Sequence, residues 1–146
     1  MSKPRVFLTR RILDRGQQLV QDFCRADVWP DELPPSHDEI ILHVQDCDGL
    51  LCLLTDRIDA AVMDAAGTGL KVISNHAVGV DNVDMAAATA RGLPVGNTPG
   101  ILTDATADMS FALLLAAARR VVEADRLVKK GGWKTWAPGF MLGADL

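Results

Sequence analysis

The chain has 146 residues, with 15 Lys+Arg against 19 Asp+Glu and a net charge of −4. That length holds one domain, or a small domain with part of another, and the acidic balance argues against a nucleic-acid-binding surface. Apolar residues at 49% and charged residues at 23% exclude disorder over most of the length, and no uninterrupted apolar run approaches the roughly 20 residues of a membrane span.

In chain order, Val6-Phe7-Leu8-Thr9 reads as a first strand, its apolar run too short for a signal-peptide core. Residues 11–23 predict a helix with Ile12, Leu19, Val20 and Phe23 near one face. A weaker strand at 24–29 is closed by Pro30, and the Pro-rich stretch 30–36 is a loop. Ser36 followed by Glu39 is a capping box before a short helix at 40–44. Residues 49–54, almost purely apolar, predict a strand buried on both faces of a parallel sheet. A helix at 59–66, a strand at 70–74, a helix at 84–91 stopped by Gly92 and an edge strand at 93–95 follow.

Five short strands separated by helices imply a doubly wound, flavodoxin-like parallel sheet. Such sheets bind ligands at the carboxyl ends of the strands, which singles out the loops 54–59, 75–84 and 96–106. The turn-rich Gly96-Asn97-Thr98-Pro99-Gly100 reads as a boundary between a domain at 1–99 and a segment at 100–146. That segment predicts one long helix at 105–130, capped by Thr103 or Asp104 and ended by Gly131-Gly132. Its middle, 111–118, is apolar on every side and must be buried on every side. A single small sheet cannot cover it, so the helix points to a further domain or a partner subunit. Trp133, Trp136, Phe140, Met141 and Leu142 form an aromatic tail of the kind that contacts something else.

Two segments could carry chemistry. In 75–84, the successive amides of Val78 and Gly79 could form an anion nest, or the segment is an ordinary strand-to-helix turn. In 96–108, Thr103 and Thr106 stand at a helix start suited to a phosphate or carboxamide, or they simply cap the helix. His37 and His43 lie away from these loops. His76 reads as a solvated loop residue without a carboxylate to orient it. Asp81, Asp84, Asp104 and Asp108 are explained by loops and caps without a metal. Cys47 and Cys52 read as small core hydrophobes. With Cys24 they share no CxxC spacing, which predicts neither zinc nor disulfides and a reduced, cytoplasmic chain. Arg119-Arg120 and Lys129-Lys130 are solvated or interface faces.

The runs VGVDNVD (78–84), NTPGILTDATADMSFALLLAAARR (97–120), GGWKTW (131–136) and GLLCLLTDRID (49–59) together resemble the D-isomer-specific 2-hydroxyacid dehydrogenases. The likeness is to the glyoxylate/hydroxypyruvate reductase branch and extends from Arg5 to Leu146. It implies a flavodoxin-like substrate-binding part, with a Rossmann NAD(P)-binding domain inserted after it and only begun in 100–146. It implies that the backbone at Val78 and Gly79 holds the substrate carboxylate and that Leu53 lines the substrate pocket. It implies that Thr106 touches the dinucleotide near its nicotinamide end and that Trp136 reaches the neighbouring subunit's active site. The implied cofactor is NADP or NAD, with NADPH favoured. The implied assembly is a homodimer through the helix 105–130, with no nucleic-acid or membrane partner.

Within residues 1–146 there is no GxGxxG after a strand. The family's substrate-binding arginine and His–Glu pair belong to segments that follow those matched here. The expectation is therefore the N-terminal part of a 2-keto-acid reductase, with no catalytic residue of its own and inactive alone. The alternative is a non-catalytic dimerisation module derived from such an enzyme.

Overall fold

β1 (Arg5–Leu8), β2 (Arg25–Val28), β3 (Gly49–Leu53), β4 (Val72–His76) and β5 (Val95–Gly96) form one sheet in the order β2-β1-β3-β4-β5. Every pair is parallel. This is the flavodoxin-like, doubly wound order, as the alternation of apolar runs and helix signals predicts. The computed structural model describes residues 2–145. Met1 and Leu146, the last residue of the likeness noted above, lie outside the described residues. The chain divides into two compact units, Met1–Gly100 and Ile101–Leu146.

Side chains alternate between the two faces of a strand, and the first unit uses that alternation unequally. Phe7, Leu50, Cys52, Ile73 and Asn75 point to one face and are each at most 1% exposed. α2 (His37–His43), α3 (Ala60–Ala66) and α4 (Met85–Ala90) supply Ile40, Val62, Met63, Ala66 and Ala88 to the same core. Each large side chain buried here contributes roughly 1.5–3 kcal/mol. The opposite face carries Gly49, Leu51 and Leu53 of β3 beside Val72, Ser74 and His76 of β4, and these β4 residues are exposed. α1 (Asp14–Phe23) has no buried residue, and Leu19 and Phe23 are exposed rather than packed as their spacing predicts.

The helix starts follow their caps. Ser36 Oγ accepts from Glu39 N while Glu39 Oε2 accepts from Ser36 N at 2.7 Å, completing the predicted capping box. Asp59 caps α3 through Ala61 N and Val62 N, and Asp84 caps α4 through Ala87 N. Each such cap stabilises by about 1 kcal/mol.

The second unit corrects the single helix expected at 105–130. The structure has α5 (Thr103–Ala118) and α6 (Val121–Lys129), separated at Arg119 and Arg120. Arg120 lies in the left-handed region at φ 54°, which costs a non-glycine residue about 1 kcal/mol or more. The Ala118 carbonyl accepts instead from Ala144 N at 2.8 Å. Gly143 permits that approach, since a Cβ there would stand only 2.2 Å from the Ala118 oxygen. Arg120 also donates to Glu123 at 2.6 Å. α5 begins after Leu102 without a side-chain cap, so neither Thr103 nor Asp104 caps it.

Candidate functional site

Leu53 and His76 are the last residues of β3 and β4 and are register partners. Together with Arg11, Ile12, Leu13 and Asp14 they line an open groove of about 500 Å³ at the carboxyl ends of the strands. His76 is thus a strand residue facing this groove, not a loop residue, although it is exposed as expected.

Beneath the groove lies a polar network that the sequence alone does not reveal. Asp56 is 2% exposed. Its carboxylate accepts from the Thr9 hydroxyl, from Leu53 N at 2.7 Å and from the Thr55 hydroxyl at 3.2 Å. The Arg10 guanidinium stands 3.8 Å away. A buried charge needs such partners. The Asn82 side-chain amide donates to the Leu53 and Asp56 carbonyls, both at 3.0 Å. Asn75, buried in β4, donates to Asn82 Oδ1 and to the Gly79 carbonyl, both at 2.9 Å. The Cys52 thiol donates to Asn75 Oδ1 at 3.4 Å. Burial, with the charge of Asp56 adding to it, pushes that thiol up to about 12. No residue of this network stands out in the sequence: Asn75 falls in the loop expected at 75–84, whereas the structure places it inside β4.

The loop after β4 is held from one side. Three consecutive carbonyls are occupied: Ala77 O accepts from Thr98 N at 2.9 Å, Val78 O from Asn97 Nδ2 at 2.8 Å, and Gly79 O from Asn75 Nδ2. The amides of Val78, Gly79 and Val80 donate to no group among the described residues. Val78 and Gly79 are exposed. Gly79 does not occupy the left-handed region, and a Cβ there would meet only the Asp81 carboxylate, at 3.2 Å. The geometry therefore requires no glycine at this position for the backbone; what glycine provides is room next to free amides.

Leu53, at the end of β3, and Val78 and Gly79, in the loop after β4, belong to the first unit; Leu53 lines the groove, and Val78 and Gly79 are not among its lining residues. Thr106 and Trp136 belong to the second unit. Thr106 N donates to Leu102 O at 2.9 Å as part of the α5 ladder, and Trp136 is 75% exposed. A dinucleotide pyrophosphate is held by a glycine-rich turn between strand and helix. The described residues contain no such turn, so they do not by themselves fit that cofactor. No group of three or more metal-ligating side chains occurs among the described residues.

The all-parallel sheet in the order β2-β1-β3-β4-β5 defines an α/β unit of the flavodoxin-like class. The sequence matches the family described as D-isomer specific 2-hydroxyacid dehydrogenase, catalytic domain, over residues 6–132, and the chain belongs to that family. It is 55% identical over 145 residues to a glyoxylate reductase of Korarchaeum cryptofilum, covering 99% of this chain and 43% of that protein. It is 47% identical over 148 residues to a glyoxylate reductase of Thermofilum pendens, covering 100% and 43%. The crystal structure of the TT0316 protein from Thermus thermophilus superposes with a TM-score of 0.89 at 45% identity, covering 97% of this chain and 45% of that one. An NADPH-dependent glyoxylate/hydroxypyruvate reductase from Sinorhizobium meliloti, solved with NADP and malonate, superposes at 0.70 with 27% identity, covering 94% and 43%. The chain spans less than half the length of the curated relatives it matches.

Proposed function

We propose that this chain forms the substrate side of a reductase that converts small 2-keto acids of the glyoxylate or hydroxypyruvate type to D-2-hydroxy acids with NAD(P)H. In this reading the amides of Val78 and Gly79 hold the substrate carboxylate, and Leu53 lines the pocket. Thr106 contributes one hydroxyl toward the cofactor, for which NADPH is favoured, and Trp136 reaches a neighbouring subunit. The observation that carries the reading is the run of free amides at the carboxyl end of β4. Successive unpaired N–H groups suit a carboxylate. The malonate in the Sinorhizobium meliloti complex, a carboxylate ligand, is in keeping with it.

Residues 1–146 supply no acid–base group and no phosphate cradle to this reading, so this chain alone turns over negligibly. The test is twofold. Calorimetry with glyoxylate gives binding, whereas glycolaldehyde, which lacks the carboxylate, gives none. NADPH oxidation with glyoxylate stays far below about 1 s⁻¹. Equal binding of both aldehydes, or turnover at that rate, overturns the reading.

A homodimer joined through the α5–α6 region is part of this proposal, and a non-catalytic dimerisation module is the second reading. Both draw on α5, where Met109, Phe111, Leu113, Leu114 and Leu115 are 51–66% exposed. Apolar exposure on that scale marks a contact surface. Light scattering after size exclusion decides: a monomer at all concentrations contradicts the dimer. A reduced, cytoplasmic setting completes the reading, supported by three free cysteines, two of them buried. Among the described residues no helix is long and apolar enough to cross a membrane.

A further inference from the structure

We propose that Asn97, together with Asn75, is a positioning residue for carboxylate recognition, acting through the peptide planes of Val78, Gly79 and Val80. This deepens the function proposed above and rests on its assignment of the carboxylate to these amides.

In a trans peptide the N–H points away from the C=O of the same plane, and no cis peptide occurs among the described residues. The Gly79 N–H shares its plane with the Val78 carbonyl, which Asn97 Nδ2 holds at 2.8 Å. The Val80 N–H shares its plane with the Gly79 carbonyl, which Asn75 Nδ2 holds at 2.9 Å. The Val78 N–H shares its plane with the Ala77 carbonyl, which Thr98 N holds at 2.9 Å. Three donors on the carbonyl side therefore fix three N–H vectors on the other.

Each part of this clamp has a cause in the fold. Asn75 is buried in β4 and held by Asn82. Asn97 and Thr98 follow β5, whose register sets Gly96 beside Ser74 and so brings the next residues alongside the loop. A strand of only two residues contributes little to the sheet, but it delivers these two donors. Glycine at 79 leaves the adjacent planes free to rotate, so without Asn97 the Val78–Gly79 plane samples orientations in which its N–H is lost to the ligand. Holding it beforehand removes that ordering cost from binding. A carbonyl already accepting a bond also polarises its own N–H into a better donor.

Asn97→Ala is the decisive variant, because Asn97 is at the surface and its loss leaves no buried group unpaired. Asn75→Ala would also break the buried network. The experiment is a ¹H–¹⁵N titration of the 146-residue chain with sodium glyoxylate, with glycolaldehyde as the carboxylate-free control. In the wild type, glyoxylate shifts the amides of Val78, Gly79 and Val80. In Asn97→Ala, binding weakens roughly fivefold, the loss of one hydrogen bond. The Gly79 resonance is already displaced without ligand, while those of Leu50 and Ile73 stay in place. Glycolaldehyde moves none of the three loop amides in either protein. Equal glyoxylate affinity in wild type and variant overturns the role of Asn97 and leaves the carboxylate site standing. Glyoxylate that shifts other amides but not these three overturns the site itself, and this proposal with it.

Discussion

Asn75 and Asn82 bond amide to amide in both directions, Asn75 Nδ2 to Asn82 Oδ1 at 2.9 Å and Asn82 Nδ2 to Asn75 Oδ1 at 3.2 Å. Through this pair the turn after β3 and the loop after β4 become one bonded structure, since Asn82 also holds the Leu53 and Asp56 carbonyls. Removing the amide strands several of these groups. Asn82→Ala is expected to destabilise the chain by about 3 kcal/mol, the cost of unpaired, part-buried acceptors and of the freed Asn75. Urea unfolding measures it; a loss under about 0.5 kcal/mol would mean that the network does not hold the loops.

Gly79→Ala separates folding from binding. The position lies outside the left-handed region, and the new methyl meets only the movable Asp81 side chain. Stability is therefore expected to hold or rise by up to about 1 kcal/mol. Glyoxylate affinity is expected to fall, because the methyl crowds the free amides. Thermal unfolding and calorimetry on the same protein check both halves.

Thiol reactivity reads the core directly. Burial pushes the Cys52 thiol up to about 12 and raises that of Cys47 as well, and it is the thiolate that reacts. At about pH 8 a disulfide reagent is expected to modify Cys24 alone in the folded chain, and all three cysteines after denaturation. Rapid modification of Cys52 in the native state would contradict the packing beneath the groove.

Asp59 ties α3 to α2 by accepting from the His37 ring at 3.1 Å. Desolvation raises its pKa, but the His37 bond, the Val62 amide and the charges of His37 and Arg57 together outweigh it, so the net shift is downward from 3.8. A carboxylate lowered in the folded state stabilises above its unfolded pKa, and that contribution fades as pH falls through the folded value. Asp59→Ala is thus expected to cost about 1 kcal/mol at neutral pH through the lost cap. The difference from wild type should shrink below about pH 4. Melting temperatures of both proteins across that range test it.

The legible and illegible parts of the fold divide along physical lines. The strands at Val6, Leu50 and Ile73 and the capping box at Ser36 and Glu39 rest on local patterns, and the structure has them where those patterns lie. The break at Arg120 carries no glycine or proline; it depends on Gly143 and Ala144 approaching the Ala118 carbonyl, a contact more than twenty residues away in sequence. Leu19 and Phe23 have the spacing of a core face yet are exposed, because periodicity says nothing of what a helix packs against. At the candidate site, Val78 and Gly79 stand out in the sequence as backbone beside a glycine. Asn75, Asn82 and Asn97 do not, because their partners are set by the register of β3, β4 and β5.

If the amides after β4 hold a small 2-keto acid by its carboxylate, a crystal structure of the chain grown with glyoxylate shows it without intermediary. Carboxylate oxygens are expected within about 3 Å of the Val78 and Gly79 nitrogens, with the rest of the molecule toward Leu53. Glyoxylate bound elsewhere, with these amides facing only water, would contradict the proposed site.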